Sequence, residues 1–203
     1  MIKLNYGLEG REKMTVLINM LGSPSSGKTS LSASLFALMK AWELNVEYTN
    51  EYVKSWAWEG RKIGPFDQFY IFGKETHNQS RLFGKVDFII SDSPVMLTAF
   101  YHYFYNGNEA LNDVCHNFYN LADEVGVQVL NFFLPRKKEY NKKGRFQTEE
   151  EADAVAFQLK EWLNKEGYEY EELTCEDSER LNFVFNRLKE IGVLDGKILG
   201  LCN

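Results

Sequence analysis

The segment NMLGSPSSGKTS, residues 19–30, limits most strongly what this chain can fold into. Gly22, Gly27, Lys28 and Thr29 fit the pattern G-x-x-x-x-G-K-[ST], in which glycines let backbone N–H groups converge on phosphate oxygens. The β-branched run TVLINML precedes the segment and indicates a buried strand, and apolar residues at helical spacing follow it. This strand–loop–helix arrangement predicts a nucleoside triphosphate site. A strand-to-helix turn that merely contains glycine and lysine is the alternative.

The pattern also predicts a role for individual residues of the loop. Lys28 would neutralise the β- and γ-phosphates, and the hydroxyl of Thr29 would be offered to Mg²⁺. The predicted nucleotide-binding residues are Gly22, Ser23, Ser25, Ser26, Gly27, Lys28, Thr29 and Ser30.

Strand-like and helix-like runs alternate along the rest of the chain. Such alternation is typical of βαβ units, in which a parallel sheet binds ligands at the carboxyl ends of its strands. We expect strands at residues 15–21, 45–51, 86–94, 127–135 and 168–173, and one long aromatic-rich helical stretch after Pro94. Thr148 and Glu151 predict a capping box at the start of a later helix. The predicted fold is an α/β three-layer sandwich with a mostly parallel five-stranded sheet, in one domain spanning residues 1–203.

Two acidic residues follow predicted strands. Asp92 would complete a Mg²⁺ site next to the glycine loop, although the sequence DSP also suits an ordinary turn. Glu51 would accept the proton of an attacking hydroxyl, and Tyr52, Trp56 and Trp58 behind it could stack on a flat base. The alternative is a helix start with an acid near its N-terminus and tryptophans in the core.

A basic segment, LPRKKEYNKKGRFQ, follows the fourth predicted strand. A transferring phosphoryl group needs cations, and a mobile segment can deliver them while excluding water. We therefore predict a lid at about residues 135–147 that brings Arg136 or Arg145 over the phosphates. A solvated basic loop and a nucleic-acid contact are the alternatives. The cations of the segment are Arg136, Lys137, Lys138, Lys142, Lys143 and Arg145.

Composition excludes several classes of protein. The chain has 203 residues and a formal net charge of −6, which disfavours general binding to duplex DNA but allows a local basic groove. The sequence has no run of about 18 apolar residues, so it predicts no membrane span. Its first residues lack the apolar region of a secretory signal. The three cysteines are scattered without the spacing of a metal site or a disulfide framework, which is typical of proteins whose thiols stay reduced. We expect a cytoplasmic protein with no membrane partner.

The order of these parts resembles the P-loop nucleoside and nucleotide kinases. The stretches SPSSGKTSL and YNKKGRFQTEEEADAVAFQLKEWLNKEGYEYEEL are most similar to the ribosylnicotinamide kinase domain of bifunctional NAD-biosynthesis regulators and its relatives, many of them phage-encoded. EYVKSW resembles the E-P-V-x-x-W stretch of deoxyribonucleoside kinases, which implies that Glu51 is the base. Where those kinases have an acid-arginine-serine triplet, this chain has Asp-Ser-Pro at residues 92–94. Phage kinases that phosphorylate hydroxymethyluracil within DNA are further relatives.

Together, the residues and the resemblance predict a Mg²⁺- and ATP-dependent kinase acting on a hydroxyl of a nucleoside, nucleotide or related compound. Two alternatives are a kinase whose acceptor is a hydroxymethylated base within DNA and a nucleotide-hydrolysing regulator. The aromatic run FYHYFYNGN is interpreted as core and subunit-contact material compatible with a homodimer, or as a pocket wall through Tyr101 or Tyr105. The predicted catalytic residues are Lys28, Glu51, Asp92, Arg136 and Arg145; the predicted substrate-binding residues are Glu51, Tyr52 and Trp56; and the predicted metal ligands are Thr29 and Asp92.

Overall fold

The computed structural model of the chain describes residues 14–137 and 139–194. The expected polar lead-in at residues 1–13, together with Lys138 and Cys202, lies outside the described residues. Within the described part of the chain, no helix has both the length and the apolar character needed to cross a lipid bilayer.

The described residues form five strands and seven helices. The strands are β1 (Thr15–Leu21), β2 (Val46–Thr49), β3 (Phe88–Ser91), β4 (Val127–Phe133) and β5 (Glu171–Glu172). The helices are α1 (Lys28–Ala41), α2 (Lys54–Trp58), α3 (Asp67–Ser80), α4 (Val95–Asn106), α5 (Asn112–Glu124), α6 (Glu149–Lys165) and α7 (Arg180–Glu190).

The strands form one sheet in the order β2-β3-β1-β4-β5, and every pairing in it is parallel. In the register of the central strand, Val16 lies beside Phe88 on one side and Gln128 on the other. The prediction of an α/β fold with a mostly parallel five-stranded sheet is confirmed. Because the strands are parallel, their carboxyl ends meet at one edge, where the loops after β1, β2, β3 and β4 converge.

Alternating residues of β1 build the cores on the two faces of the sheet. Val16, Ile18 and Met20 pack with buried residues of α1 and α7, whereas Leu21 packs with residues of α3, α4, α5 and α6. Leu17 points to the same side as Leu21 and packs beneath α5. All seven residues of β1 are buried, which explains why the sequence shows a continuous apolar run rather than alternation.

Two local differences from the sequence prediction have identifiable causes. The single helical stretch expected after Pro94 is two helices, because Gly107 adopts a left-handed conformation with a φ of 61° and ends α4. The last strand has only two residues instead of the expected six.

The capping box is confirmed: Thr148 accepts a hydrogen bond from the amide of Glu151, whose carboxylate accepts one from the amide of Thr148.

Gly22 allows the end of β1 to pack tightly against the end of β4. The amide of Leu134 donates to the carbonyl of Leu21 at 2.8 Å, and a Cβ atom on Gly22 would lie 2.6 Å from the carbonyl oxygen of Leu134. Gly22 also has a φ of 143°, which L-amino acids with side chains rarely adopt. The glycine is therefore required by both backbone conformation and space.

We expect Gly22→Ala to lower the free energy of unfolding by roughly 3 kcal/mol or more, since a backbone atom cannot move aside as a side chain can. Gly60→Ala is the matched control, because Gly60 also has a positive φ of 67° but has no atom within 4 Å of the added Cβ. Its cost should be about 1 kcal/mol. Urea unfolding of the two variants measures the difference, and equal losses would contradict the close packing at Gly22.

Candidate active site

The loop between β1 and α1 presents unsatisfied backbone amides at the start of a helix. Gly27 precedes α1 with a φ of 97° and caps it without any side-chain hydrogen bond. The amides of Gly27, Lys28 and Thr29 have no hydrogen-bond acceptor among the described residues, and the first turn of α1 contains no acidic residue. The helix dipole therefore adds to these free N–H groups, which makes this corner suited to bind an anion.

Lys28 turns its ammonium group toward the same loop. Its Nζ atom donates to the carbonyl oxygens of Gly22 at 2.8 Å and Ser23 at 3.0 Å. Burial lowers the pKa of Lys28 to about 8, and the nearby carboxylates of Glu51 and Asp92 act in the opposite direction. The loop thus holds a cation among its own carbonyls, next to two acids that follow other strands.

Asp92 is the buried acid that follows β3. Its Oδ2 atom accepts a hydrogen bond from the hydroxyl of Tyr48 at 2.7 Å, and its Oδ1 atom has no hydrogen-bond partner within the described residues. A buried carboxylate oxygen without a partner is costly unless a cation or donor joins it. The carboxylate of Asp92 and the exposed hydroxyl of Thr29 are oxygen ligands of the type that Mg²⁺ prefers.

Asp92 and Thr29 together offer two side chains with oxygen ligands. Among the described residues, no group of three or more His, Cys, Asp or Glu side chains is arranged to hold one. Mg²⁺ commonly keeps several waters and is bound by one or two carboxylates together with substrate phosphates. The donor set here therefore fits a metal ion that arrives with a nucleotide.

Glu51 lies in the turn between β2 and α2. Burial raises the pKa of its carboxyl group, Lys28 lowers it and Asp92 raises it further, so these three side chains are electrostatically coupled. Glu51 makes no hydrogen bond to any described residue and lines the same cavity as Lys28. Its carboxylate is consequently available to a bound molecule.

Glu75 of α3 is a second buried carboxyl near this turn, and it was not identified from the sequence. Its Oε1 atom accepts a hydrogen bond of 3.0 Å from the amide of Tyr52, the residue that follows Glu51 in the chain. Its Oε2 atom has no partner among the described residues. Burial raises its pKa to about 8; the amide of Tyr52 and the side chain of Ser93 act in the opposite direction, and the charges of Glu51 and Asp92 add to the effect of burial. The sequence does contain a signal for a buried acid here, because Glu75 follows Ile71 by four residues and so lies on the apolar face of the helix.

A cavity that opens to solvent adjoins Lys28 and Glu51. Gln68 is a buried amide among the lining residues, and it was not identified from the sequence either. Tyr101 and Tyr105 both line the cavity, with their rings stacked at 6.0 Å. The walls combine apolar and polar side chains, which suits a flat, partly polar ligand.

The basic segment 135–147 lies over this cavity and touches three other elements. Ser25 accepts a hydrogen bond from the amide of Asn141 at 3.2 Å, and Gln147 donates to the hydroxyl of Tyr105 at 3.0 Å. Gly144 lies against Trp58, so closely that an added Cβ atom would be 2.6 Å from the indole ring. The segment therefore covers the cavity from the glycine loop to α2 and α4.

The two arginines predicted for this segment have different surroundings. Arg145 lines the cavity and contributes to the electrostatic environment of Lys28 and Glu51. Arg136 is held by ion pairs with Glu149, at 2.9 Å, and Asp153 at the start of α6, and it does not line the cavity. The structure thus brings Arg145, and not Arg136, to the candidate site.

The aromatic residues predicted to contact a substrate lie beside the cavity rather than in its wall. Tyr52 donates or accepts a hydrogen bond with the hydroxyl of Tyr70 at 2.9 Å. Trp56 is buried and stacks on Tyr70 at 6.3 Å, with the guanidinium of Arg61 3.4 Å from the centre of its ring. Both predicted residues are therefore already engaged with neighbouring side chains.

Comparison with known proteins adds two findings. A family model described as an AAA domain matches residues 17–180. A comparison with curated proteins gives no match.

Three solved structures share the fold at low sequence identity. The first is NadR protein in complex with NR, with a TM-score of 0.70 and 18% identity; the match covers 90% of this chain and 53% of that chain. Thymidylate kinase from Ehrlichia chaffeensis has a TM-score of 0.57 and 14% identity; the match covers 88% of this chain and 98% of that chain. Deoxyadenosine kinase from M. mycoides, solved with products dCMP and dCDP, has a TM-score of 0.55 and 15% identity; the match covers 86% of this chain and 99% of that chain. The chain spans about half the length of NadR.

These matches confirm the predicted resemblance to P-loop nucleoside and nucleotide kinases at the level of the fold. The specific likeness to kinases that act on hydroxymethyluracil in DNA stays a prediction.

The raised pKa of Glu75 predicts a specific pH dependence of stability. A carboxyl with a raised pKa in the folded state binds its proton more tightly there than in the unfolded chain, so stability falls as pH rises from about 4.5 to about 8. Glu75→Gln cannot ionise and still offers an acceptor to the amide of Tyr52. The stability of the original protein minus that of the variant should therefore decline between pH 5 and 8 and level off above it.

Urea unfolding at half-unit pH steps measures this difference, in which contributions from all other groups largely cancel. Glu59→Gln changes an exposed carboxylate instead and should leave the profile unchanged. Parallel profiles for the original protein and Glu75→Gln would show that Glu75 titrates normally.

Proposed function

The chain belongs to the AAA domain family, and from this premise we propose that it is a Mg²⁺- and ATP-dependent kinase that transfers the γ-phosphate to a hydroxyl of a nucleoside, nucleotide or related compound. The observation that supports this most directly is that one cavity has Lys28 and the free carboxylate of Glu51 in its wall. A phosphate-binding loop alone would suit hydrolysis as well. A cavity that adjoins the loop and contains a candidate base favours a second substrate.

In the proposed mechanism the glycine loop binds the triphosphate. The free amides of Gly27, Lys28 and Thr29 donate to phosphate oxygens, and the ammonium of Lys28 exchanges its loop carbonyls for the β- and γ-phosphates. Thr29 and Asp92 would hold the magnesium ion that accompanies the nucleotide. When bound, that ion offsets negative charge on the phosphates.

Glu51 is the proposed base for the acceptor hydroxyl. Its buried position raises its pKa, which favours proton transfer from a weak acid as the phosphoryl group moves. Gln68 would read the polar edge of the acceptor, because its buried amide offers both donors and an acceptor to the cavity. Tyr101 and Tyr105 would pack against the flat part of the acceptor.

Segment 135–147 is the proposed lid. Its contacts with Ser25 and Trp58 close the cavity over the acceptor, which excludes water from the reaction. Arg145 is the lid cation that would balance charge on the transferring phosphoryl group.

A phosphate-transfer screen tests the function. We expect labelled phosphate to move from ATP to at least one of the nucleosides, nucleoside monophosphates or ribosylnicotinamide, and hydrolysis without acceptor to be much slower. Glu51→Gln should reduce kcat at least about a hundredfold with little change in ATP affinity, since a general base contributes this much. Glu59→Gln, an exposed acid at the end of α2, is the matched control. Slow hydrolysis that no acceptor stimulates would instead favour a nucleotide-hydrolysing regulator.

A second candidate is a kinase whose acceptor is a hydroxymethylated base within DNA, and the mouth of the cavity favours it. Trp58 is 67% exposed and Phe146 is 37% exposed at this mouth, and the exposed Lys142 and Lys143 precede Gly144. Exposed aromatic rings beside cations are typical of surfaces that bind single-stranded nucleic acid.

A single-stranded oligonucleotide containing hydroxymethyluracil distinguishes the two candidates. If DNA is the acceptor, transfer to the oligonucleotide should exceed transfer to the free nucleoside and fall steeply as salt rises from about 50 to about 200 mM. Trp58→Ala should then reduce transfer to the oligonucleotide about tenfold, because a base would lose its stacking partner. Efficient transfer to a free nucleoside that does not change with salt, together with no transfer to the oligonucleotide, would exclude this candidate.

A further inference from the structure

Arg180 is a buried cation whose position is unusual for an arginine. It is the first residue of α7, and only 2% of it is exposed to solvent. Burying a charge is costly unless the surrounding groups pair with it. The contacts of its guanidinium group therefore indicate why the residue is there.

Three separate segments contact this guanidinium group. Nη1 donates to the carbonyl oxygen of Ser26 at 2.9 Å, in the glycine loop. Nη2 donates to the carbonyl oxygen of Pro135 at 2.6 Å, where the proposed lid begins. Nη1 also forms an ion pair with Asp177 at 2.7 Å, in the turn before α7. One planar group thus joins the loop, the lid and the turn.

The hydrogen bond to Ser26 determines which way the next amide points. In a trans peptide the C=O and N–H groups point in opposite directions. The carbonyl of Ser26 faces Arg180, so the N–H of Gly27 in the same peptide faces away from it. That N–H is one of the amides at the anion-binding corner that have no acceptor among the described residues. Arg180 therefore supports the loop from behind the side on which phosphate would bind.

A lysine cannot reproduce this arrangement. The guanidinium group offers five donors in a fixed plane, which lets it bond two carbonyls and a carboxylate at once, whereas an ammonium is a single compact charge on a flexible stem. The group also fills the space behind Gly27, since a Cβ atom added to that glycine would lie 3.7 Å from Nη1.

We propose that Arg180 is a positioning residue that fixes the Ser26–Gly27 peptide for triphosphate binding and ties this peptide to the first residue of the lid. The inference rests on the proposed function, because it concerns the same phosphate site. It goes further in naming a residue from the far end of the chain that determines how well the loop binds phosphate.

Arg180→Lys tests the proposal, with Arg187→Lys as the matched control. Arg187 lies on the same helix but is partly exposed and pairs with Glu171 and Glu190 instead. Calorimetry with two probes, magnesium with a non-hydrolysable ATP analogue and magnesium tripolyphosphate, measures binding at a temperature where circular dichroism shows both variants folded. Arg180→Lys should raise the dissociation constant of both probes at least tenfold, and Arg187→Lys should change each by less than twofold.

Steady-state kinetics provides a readout that a general loss of stability would not change. For Arg180→Lys, the KM for ATP should rise at least tenfold, while the KM for the acceptor and kcat at saturating ATP stay within about threefold. If the lysine variant does not fold, Arg180→Gln, which buries no charge and keeps a donor for one carbonyl, carries the same expectation.

Three outcomes would overturn the proposal. Unchanged binding of both probes to a folded Arg180 variant would show that the loop holds its shape without this residue. Weaker binding of the ATP analogue alone would place the effect at the nucleoside rather than at the phosphates. Failure of the unmodified protein to bind either probe would contradict the proposed function itself, and is seen without any variant.

Discussion

The candidate site depends on backbone amides that the described residues leave unsatisfied where β1 meets α1. A serine or aspartate at the position of Gly27 would be strained at its φ of 97°, and its side chain would occupy the place of an anion. The chain has glycine there and no acid in the first turn of α1. Two tertiary contacts then hold this corner in place: the tight packing of Gly22 against β4 and the hydrogen bond from Arg180 to Ser26. A polyanion bound at this corner would accept hydrogen bonds from these amides.

The charges around this corner explain why the site would need more than one cation. Lys28 faces Glu51 and Asp92, and the buried Glu75 lies behind the turn that carries Glu51. Burial and mutual repulsion raise the pKa of Glu51 and Glu75, which indicates that the pocket already resists further negative charge. A triphosphate brings several more negative charges, so its entry requires compensation. A magnesium ion held by the unpartnered oxygen of Asp92 would supply part of this positive charge. Arg145 on the proposed lid would supply more.

Sequence alone could predict the parts of the fold that local pattern determines. The continuous apolar run of β1, the glycine loop and the capping box at Thr148 all depend on neighbouring residues, and the structure has them where the pattern indicates. For Glu75 the sequence offers only its place on the apolar face of α3 as a signal, and for Arg180 it offers none, because a charge at the start of a helix looks the same whether it is solvated or buried by another element. The choice between Arg136 and Arg145 also required the structure, since only the position of α6 shows that Arg136 has carboxylates to pair with.

The contacts of segment 135–147 differ in strength along its length, and this bears on how a lid could work. At its beginning, Pro135 is bonded by a buried guanidinium at 2.6 Å, and the neighbouring Arg136 is paired with α6. Toward its middle, Asn141 meets Ser25 through exposed hydrogen bonds of 3.2 and 3.4 Å, and Gly144 rests on an exposed indole ring. Exposed contacts of this kind open at little cost, whereas buried charge-assisted ones do not. We therefore expect the middle of the segment to lift and admit substrates while its beginning stays fixed to the glycine loop, so that closing returns Arg145 to a defined place beside the phosphates.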